Sequence, residues 1–166
     1  MSKRLICVAS HALQWSEMTV RALCLAIILF AAQPGSSTSD PWTAQEAIRT
    51  EELTKLIEGG GPVVLMAGPR ILFNGGHIKG ALYAGPASKP EGLEALTRAV
   101  AGIPKTRDIV LYCGCCPMEK CPNIRPAFQR LKELGYQRVR VLIIPTNLHD
   151  DWLAKGYPAE KGDVPR

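Results

Sequence analysis

Residues 109–134 read IVLYCGCCPMEKCPNIRPAFQRLKEL, and this stretch decides the fold. Its first four letters, with Asp108 before them, form a largely apolar run, which is typical of a strand buried on both faces of a sheet. Four cysteines follow within residues 113–121. The next segment, 124–134, has helical spacing, with Asn123 as its predicted N-cap and Gly135 as its C-terminal stop. A strand that leads through a loop into a helix predicts one unit of a parallel α/β sheet.

Further apolar runs flank this unit on both sides. Residues 63–66 and 139–144 predict two more central strands, and 81–84 predicts a short one. Helical spacing occurs at 91–101, and shorter helices are predicted after Thr43, after Thr50 and at 150–155. Residues 68–80 are rich in glycine and are expected to be irregular. Strands that alternate with helices predict a doubly wound parallel sheet.

The N-terminus carries the pattern of a targeting segment. Residues 22–32 read ALCLAIILFAA, an apolar run that is too short to span a bilayer. It follows Arg21 and precedes the small, polar stretch QPGSSTSD, as in a secretory signal peptide. We expect a signal segment at 1–32, with Met18 as an alternative start, a linker at 33–42, a domain at 43–160 and a tail at 161–166. Export to the periplasm or the cell exterior is therefore expected, and disulfides persist in such compartments.

Composition and charge argue against several classes of partner. The 166 residues include 20 Lys and Arg against 15 Asp and Glu, a formal net charge of +5. This excess is mild and no basic stripe with interleaved aromatic residues is present, so nucleic acid is not an expected partner. The sequence has no glycine-rich phosphate-binding fingerprint, and no cofactor is expected. After signal cleavage we expect no stable membrane span.

Four stretches of the sequence resemble the rhodanese family, over about residues 43–160. They are 73–81 (FNGGHIKGA), 109–113 (IVLYC), 131–139 (LKELGYQRV) and 152–158 (WLAKGYP). Their order and spacing carry the resemblance, since each motif alone is short. The resemblance implies a rhodanese-like α/β fold, with a five-stranded parallel sheet flanked by helices.

The resemblance to the rhodanese family also implies an activity. The family's reactive cysteine corresponds to Cys113, which would accept a sulfane sulfur from a donor such as thiosulfate. The resulting persulfide would pass its sulfur to a thiol or to cyanide. A small sulfur donor and a thiol or cyanide-like acceptor are therefore the expected partners. His77 lies in the family's structural turn, where it is expected to hydrogen-bond the backbone.

The chemistry expected at Cys113 points in the same direction. In open α/β sheets ligands bind beyond the carboxyl ends of the strands, where this cysteine lies. A helix N-terminus and nearby cations lower the pKa of a thiol, and successive loop amides form a nest for an anion. Arg125 and Arg70 are the candidate substrate-binding cations. The predicted active-site loop comprises Gly114, Cys115, Cys116, Met118, Glu119, Lys120, Cys121 and Asn123. The alternative is a buried, inert thiol at the end of a strand.

The site departs from the family's pattern at three places. The family's loop-closing arginine falls at Asn123, and the loop between Cys113 and this position is longer than the family's. The acid that usually follows the first central strand is absent from 66–70 (MAGPR), and Arg70 lies closer than usual to His77. Pro145-Thr146 replaces a paired glycine. These departures leave the fold intact but alter the substrate side of the site.

The four loop cysteines leave three hypotheses open. Cys115 or Cys116 resolves a persulfide or sulfenate on Cys113 through a disulfide. Alternatively, a disulfide from Cys121 to Cys115 or Cys116 braces the long loop. In the third hypothesis the four thiolates hold a soft metal such as Cu(I) or Zn, although their spacing is not the paired C-x2-C of a zinc ribbon.

Three functions follow from these observations. The favoured one is a sulfurtransferase that moves sulfane sulfur through a persulfide on Cys113. The second is a thiol-redox or soft-metal-binding module on a catalytically altered rhodanese scaffold. The third is a catalytically silent interaction domain.

Overall fold

The computed structural model describes residues 40–162. The predicted signal segment at 1–32, the alternative start at Met18 and most of the predicted linker lie outside the described residues, as does residue 163 onward. Within 40–162, no helix combines the length and the apolar character needed to cross a bilayer.

Five parallel strands form the central sheet, as the sequence predicted. The strands are β1 (Ala47–Ile48), β2 (Val63–Met66), β4 (Leu82–Tyr83), β5 (Ile109–Tyr112) and β6 (Val139–Leu142). Their spatial order is β1-β6-β5-β2-β4. β5 lies at the centre, in register with β2 from Val63↔Ile109 to Met66↔Tyr112. A separate antiparallel pair, β3 (His77–Ile78) and β7 (Ala159–Glu160), lies beside the sheet.

Helices cover both faces of the sheet. They are α1 (Thr50–Ile57), α2 (Arg70–Gly75), α3 (Pro90–Val100) and α4 (Ile124–Glu133), together with short helical turns at Ala44–Glu46, Met118–Lys120 and His149–Leu153. Leu96 and Phe128 place α3 and α4 in one core cluster, which Leu65 and Leu111 of the sheet share. A second cluster, on the other face, contains side chains of α1, α2 and the last helical turn. The two clusters make the molecule a three-layer α/β structure.

The central strand β5 is buried along its whole length, because helices pack on both of its faces. Its side chains alternate between the two clusters, with Leu111 and Cys113 facing α3 and α4, and Val110 and Tyr112 facing the other layer. This alternation follows from the two-residue period of a strand. It directs the sulfur of Cys113 towards the start of α4.

Two expected elements differ in the structure. The stretch 68–80 is not irregular, since it contains α2 and β3. Of the large residues of α2, Phe73 is buried while Ile71 and Leu72 are exposed, so this short helix has no apolar periodicity to reveal it. The predicted last helix is a single π-type turn at His149–Leu153.

Candidate active site

The cysteine loop begins with a sharp turn at Gly114. This residue has a φ of 80°, in the left-handed region that side chains disfavour, and a Cβ there would lie 2.9 Å from Cβ of Leu148. Its carbonyl accepts a hydrogen bond from the Leu148 N–H at 3.0 Å, and the N–H of Met118 donates to the carbonyl of Ile144 at 3.1 Å. These contacts fold the loop back over the carboxyl end of the sheet.

The fold-back brings three of the four cysteine sulfurs together. The Sγ atoms of Cys113, Cys115 and Cys121 all lie within 4.8 Å of one another. Sγ of Cys115 is 3.1 Å from that of Cys113 and 3.1 Å from that of Cys116. All four cysteines are free thiols. Disulfides within this loop therefore stay a prediction. The structure shows a compact cluster of thiol sulfurs.

Cys121 carries the most acidic sulfur of the cluster. A hydrogen bond from Cys113 and the backbone N–H groups of Asn123 and Ile124 lower the pKa of Cys121 to about 6, against the opposing effect of its burial. The two N–H groups belong to the first turn of α4, where backbone donors have no partner within the helix and the dipole favours negative charge. These donors therefore favour the thiolate form of Cys121.

The sulfur of Cys113 has the opposite character. The hydrogen bond to Cys121 and burial raise the pKa of Cys113, while the backbone N–H of Cys115 partly offsets them. Only 4% of Cys113 is exposed. The loop amide of Cys115 thus acts on Cys113 as expected, but the net shift of the pKa of Cys113 is upward, because burial and Cys121 outweigh this amide. The N–H groups at the helix start lower the pKa of Cys121 instead.

Cys116 lies beside this pair, and its side chain contributes to the low pKa of Cys121. Burial and a hydrogen bond with Cys115 raise the pKa of Cys116 to about 12. It is half-buried and does not belong to the three-sulfur cluster.

Asn123 connects the cluster to the neighbouring loop. It occupies the N-cap position of α4, but its side chain makes no cap hydrogen bond. Its Oδ1 accepts from the N–H of Ser88 at 2.9 Å, and its Nδ2 donates to Sγ of Cys113 at 3.3 Å. The residue that stands in place of the family's arginine therefore supplies a neutral donor to the sulfur of Cys113.

Gly68 is a site residue that the sequence did not single out. It lies beyond the end of β2, next to β5, and a Cβ there would approach the carbonyl oxygen of Cys113 to 2.8 Å and its Sγ to 3.3 Å. Any side chain at position 68 would displace the cysteine. The sequence signal for Gly68 is the break in the family pattern at 66–70, where the usual acid is missing.

Arg125 braces the loop from its outer side. Its guanidinium pairs with Asp40 at 2.6 Å and lies 3.5 Å from the carbonyls of Met118 and Cys121. This cation thus holds the loop closed over the sulfurs. Arg70 lies over the ring of Tyr83, 3.8 Å from the ring centroid. The substrate-binding role expected for both arginines stays a prediction.

Lys120 and Glu119 are exposed on the short helical turn of the loop, and Met118 beside them is half-buried. Met118 is one of the residues that pack against the core cluster of α3 and α4. The loop therefore has a charged outer side and an apolar inner side.

His77 lies in a turn on the other face of the sheet. Its Nδ1 donates to the carbonyl of Phe73 at 2.8 Å, since a carbonyl can only accept, and its ring stacks on Phe73 at 3.8 Å. Among residues 40–162 its Nε2 has no hydrogen-bond partner, and the carboxylate of Glu160 is 3.9 Å away. The ring thus joins α2 to the β3–β7 pair.

Comparison with known proteins identifies the family of the chain. The family model of the rhodanese-like domain matches residues 49–143. The chain belongs to this family. No curated protein matches it.

Solved structures resemble this rhodanese-like domain over most of its described residues. The crystal structure of a protein from Anabaena sp. that contains a rhodanese-like domain is 27% identical, with a TM-score of 0.52, and covers 70% of this chain and 83% of that one. The anaerobic ergothioneine biosynthesis enzyme from Chlorobium limicola, in complex with trimethyl histidine, is 26% identical with a TM-score of 0.52. The match covers 69% of this chain but only 28% of that enzyme.

One further solved structure records a sulfur intermediate. It is the enzyme EanB with a cysteine persulfide, in a tetrahedral intermediate state with ergothioneine. It is 28% identical to this rhodanese-like domain, with a TM-score of 0.52, and the match covers 69% of this chain and 28% of that one.

The site of this rhodanese-like domain is closed. The cavity against the sulfurs of Cys113, Cys116 and Cys121 has a volume of about 10 Å³. That is room for about one water molecule. A sulfur donor of several atoms therefore reaches Cys113 only when the loop over it moves.

The low pKa of Cys121 predicts a thiolate that titrates near pH 6 in the folded protein. We expect ultraviolet thiolate absorbance to show about one thiolate forming around that pH. Cys121→Ser should lose this step, while Thr106→Ser, an exposed substitution away from the cluster, should keep it. A low-pH step that persists in Cys121→Ser would contradict the assignment.

The same shift predicts a pH dependence of stability. The pKa of Cys121 is about 6 in the folded chain, below the value of about 8.5 expected when unfolded. Deprotonation therefore stabilises the fold. The free energy of unfolding of the wild type, measured against Cys121→Ser by denaturant titration, should rise from pH 6 to about 8.5 and lose this gain as the pH falls through 6.

Proposed function

We propose that this rhodanese-like domain is a sulfurtransferase that carries sulfane sulfur as a persulfide on Cys113. The observation that supports this most directly is the pair of sulfurs at the carboxyl end of β5. The Sγ atoms of Cys113 and Cys121 lie within 4.8 Å of each other, and the start of α4 favours the thiolate of Cys121. A base close to a nucleophile can take its proton and so activates it for attack.

Attack by Cys113 on a donor such as thiosulfate needs no further reactant. The sulfur of Cys113 attacks the terminal, sulfane sulfur, and the S–S bond of the donor breaks. Sulfite leaves with the bonding electron pair, and the proton of Cys113 passes to Cys121. The products are a persulfide anion on Cys113, a neutral thiol at Cys121 and sulfite, so charge and electrons balance.

Transfer to an acceptor reverses the roles of the two cysteines. The thiolate of a small thiol, or cyanide, attacks the terminal sulfur of the persulfide, and the bond to Sγ of Cys113 breaks. Cys113 leaves with the electron pair and takes back the proton of Cys121. A relay of this kind lowers the cost of forming each anion, because the proton moves between two neighbouring sulfurs.

Two donors stabilise the negative charge that passes through Cys113. The N–H of Cys115 points at its sulfur, and Nδ2 of Asn123 is 3.3 Å away. A hydrogen bond to a charged group contributes about 1.5–3 kcal/mol. Since Asn123 replaces the family's cation with a neutral amide, the site favours the persulfide anion without adding a fixed positive charge for a dianionic donor.

The similarity to EanB supports the chemistry. EanB has been solved with a persulfide on a cysteine, and it is similar to this chain over the rhodanese-like part. The match covers 28% of EanB, so we carry over only the use of a cysteine persulfide. The physiological donor and acceptor of this chain are proposed by class alone, as a sulfane-sulfur donor and a small thiol.

Thiosulfate should load one sulfur atom onto the wild-type protein, as read by intact mass. Cys113→Ser should abolish the adduct. Cys121→Ser should slow its formation at pH 7 by about tenfold or more, because the base is lost, and the rate should recover as the pH is raised. Thr106→Ser, on an exposed turn away from the cluster, is the control and should load at the wild-type rate. An equal adduct on Cys113→Ser would refute the proposed function.

Asn123→Asp should slow loading by about 10- to 100-fold, which corresponds to losing a charge-assisted hydrogen bond of about 1.5–3 kcal/mol. The carboxylate keeps the acceptor for the Ser88 N–H but places an oxygen against the sulfur of Cys113. Asn74→Asp adds the same charge on the exposed side of α2 and should leave the rate unchanged. Loading of both variants at the wild-type rate, with unchanged melting temperatures, would show that the amide does not stabilise the anion.

A further inference from the structure

The sulfur cluster has a geometry that transfer of one sulfur atom does not require. Persulfide chemistry uses Cys113 and its proton acceptor, whereas Cys115 also lies with its sulfur 3.1 Å from that of Cys113. The sulfurs of Cys113, Cys115 and Cys121 are mutually within 4.8 Å. They come from a strand end, a loop and the approach to α4, so the fold itself converges them.

We propose that Cys113, Cys115 and Cys121 form a binding site for one Cu(I) ion. Three thiolates around a metal at about 2.3 Å lie about 4 Å from one another when the ion is in their plane. The three sulfurs lie within 4.8 Å of one another, close to this size, although the 3.1 Å between Cys113 and Cys115 must widen when the ion binds.

The donor set decides the class of metal. Thiolates are soft ligands and select Cu(I) or Zn over Mg, Ca and Mn. Structural zinc is almost always four-coordinate. Among residues 40–162 the group that converges here contains three cysteines and no His, Asp or Glu, and Cys116 lies outside it. The cavity beside the sulfurs, of about 10 Å³, leaves space for about one water. Three sulfurs in a closed, half-apolar site fit a three-coordinate Cu(I).

Three thiolates that bind one monovalent cation keep a net negative charge. The surroundings of the cluster compensate this charge. Asn123 donates its side-chain amide to the sulfur of Cys113. The N–H groups at the start of α4 point at the sulfur of Cys121. The guanidinium of Arg125 lies on the carbonyl of Cys121. Partners of this kind orient metal ligands and support affinity.

Copper and sulfane sulfur then exclude each other. Both need the electron pair of the Cys113 sulfur, so a bound Cu(I) blocks attack on a donor, and a persulfide removes one ligand. This consequence, unlike the metal site itself, rests on the proposed function. The domain would transfer sulfur only when it is free of copper.

A Cu(I) titration of the full chain tests the site. The reduced protein is titrated anaerobically with Cu(I) against a chromogenic Cu(I) chelator, and thiolate-to-copper charge transfer is followed in the ultraviolet. One copper per chain is expected. Cys113→Ser, Cys115→Ser and Cys121→Ser should each weaken binding by roughly 100-fold or more, at the upper end of the losses seen for outer-shell partners. Thr106→Ser, a substitution on an exposed turn away from the cluster, is the control and should bind within a few-fold of the wild type.

X-ray absorption of the wild-type copper complex provides a readout that does not depend on variants. Three sulfur ligands are expected. Two or four sulfurs, or zinc binding that is lost in Cys116→Ser, would overturn the assignment.

If copper and sulfane sulfur exclude each other, thiosulfate should not load the copper-bound protein, and the chelator should restore loading. Equal loading of the copper-bound and copper-free protein would refute this exclusion. No copper binding with intact sulfur loading would reject the metal site and leave the proposed function standing. Copper binding in a protein that takes up no sulfur would support the metal site and reject the proposed function.

Discussion

The convergence of the Cys113 and Cys121 sulfurs, which lie within 4.8 Å of each other, organises the candidate site. The two residues arrive from different elements, since Cys113 ends β5 and Cys121 precedes α4. The strand directs one sulfur into the layer of α3 and α4, and the first turn of α4 directs its unpaired N–H groups at the other. The left-handed turn at Gly114 makes the meeting possible. The negative charge is therefore favoured on Cys121, whereas the proposed nucleophile is Cys113.

Burial gives this arrangement its chemical character and its main constraint. A buried thiol alone would be inert, because burial disfavours the thiolate. In the proposed reaction the neighbouring Cys121 changes this, since it would accept the proton at the moment of attack. The same burial leaves no room for a donor, so the loop must open. The Arg125–Asp40 ion pair that braces the loop is about one-third exposed on each side, and pairs of this kind contribute about 1 kcal/mol or less. Breaking this ion pair therefore contributes little to the cost of opening the loop.

The sequence was sufficient for the features that depend on local pattern. The apolar runs predicted the central strands, and the position of Cys113 at the end of β5 followed from them. The resemblance at four motifs predicted the family, which the match at 49–143 confirms. The helix α2 escaped prediction because only Phe73 of its large residues is buried, and a six-residue helix with Ile71 and Leu72 exposed leaves no periodic signal.

The features that the sequence could not provide depend on how the loop folds back. Asn123 looked like a helix cap, yet its amide spans from Ser88 to Cys113, two contacts that are distant along the chain. The acidic sulfur was expected at the strand end and is found at Cys121, because the direction of the N–H groups is set by the approach to α4. The contact of Gly68 with Cys113 required the register of β2 with β5. Each of these is a tertiary effect, which no local pattern encodes.

The most direct test of the account is to locate the sulfane sulfur after stoichiometric loading. Because trypsin cleaves after Lys120, the peptide with Cys113 separates from the peptide with Cys121. Alkylation of the loaded protein followed by peptide mass analysis should place the extra sulfur on Cys113. Recovery of that sulfur on Cys121 would contradict the division of roles between nucleophile and base.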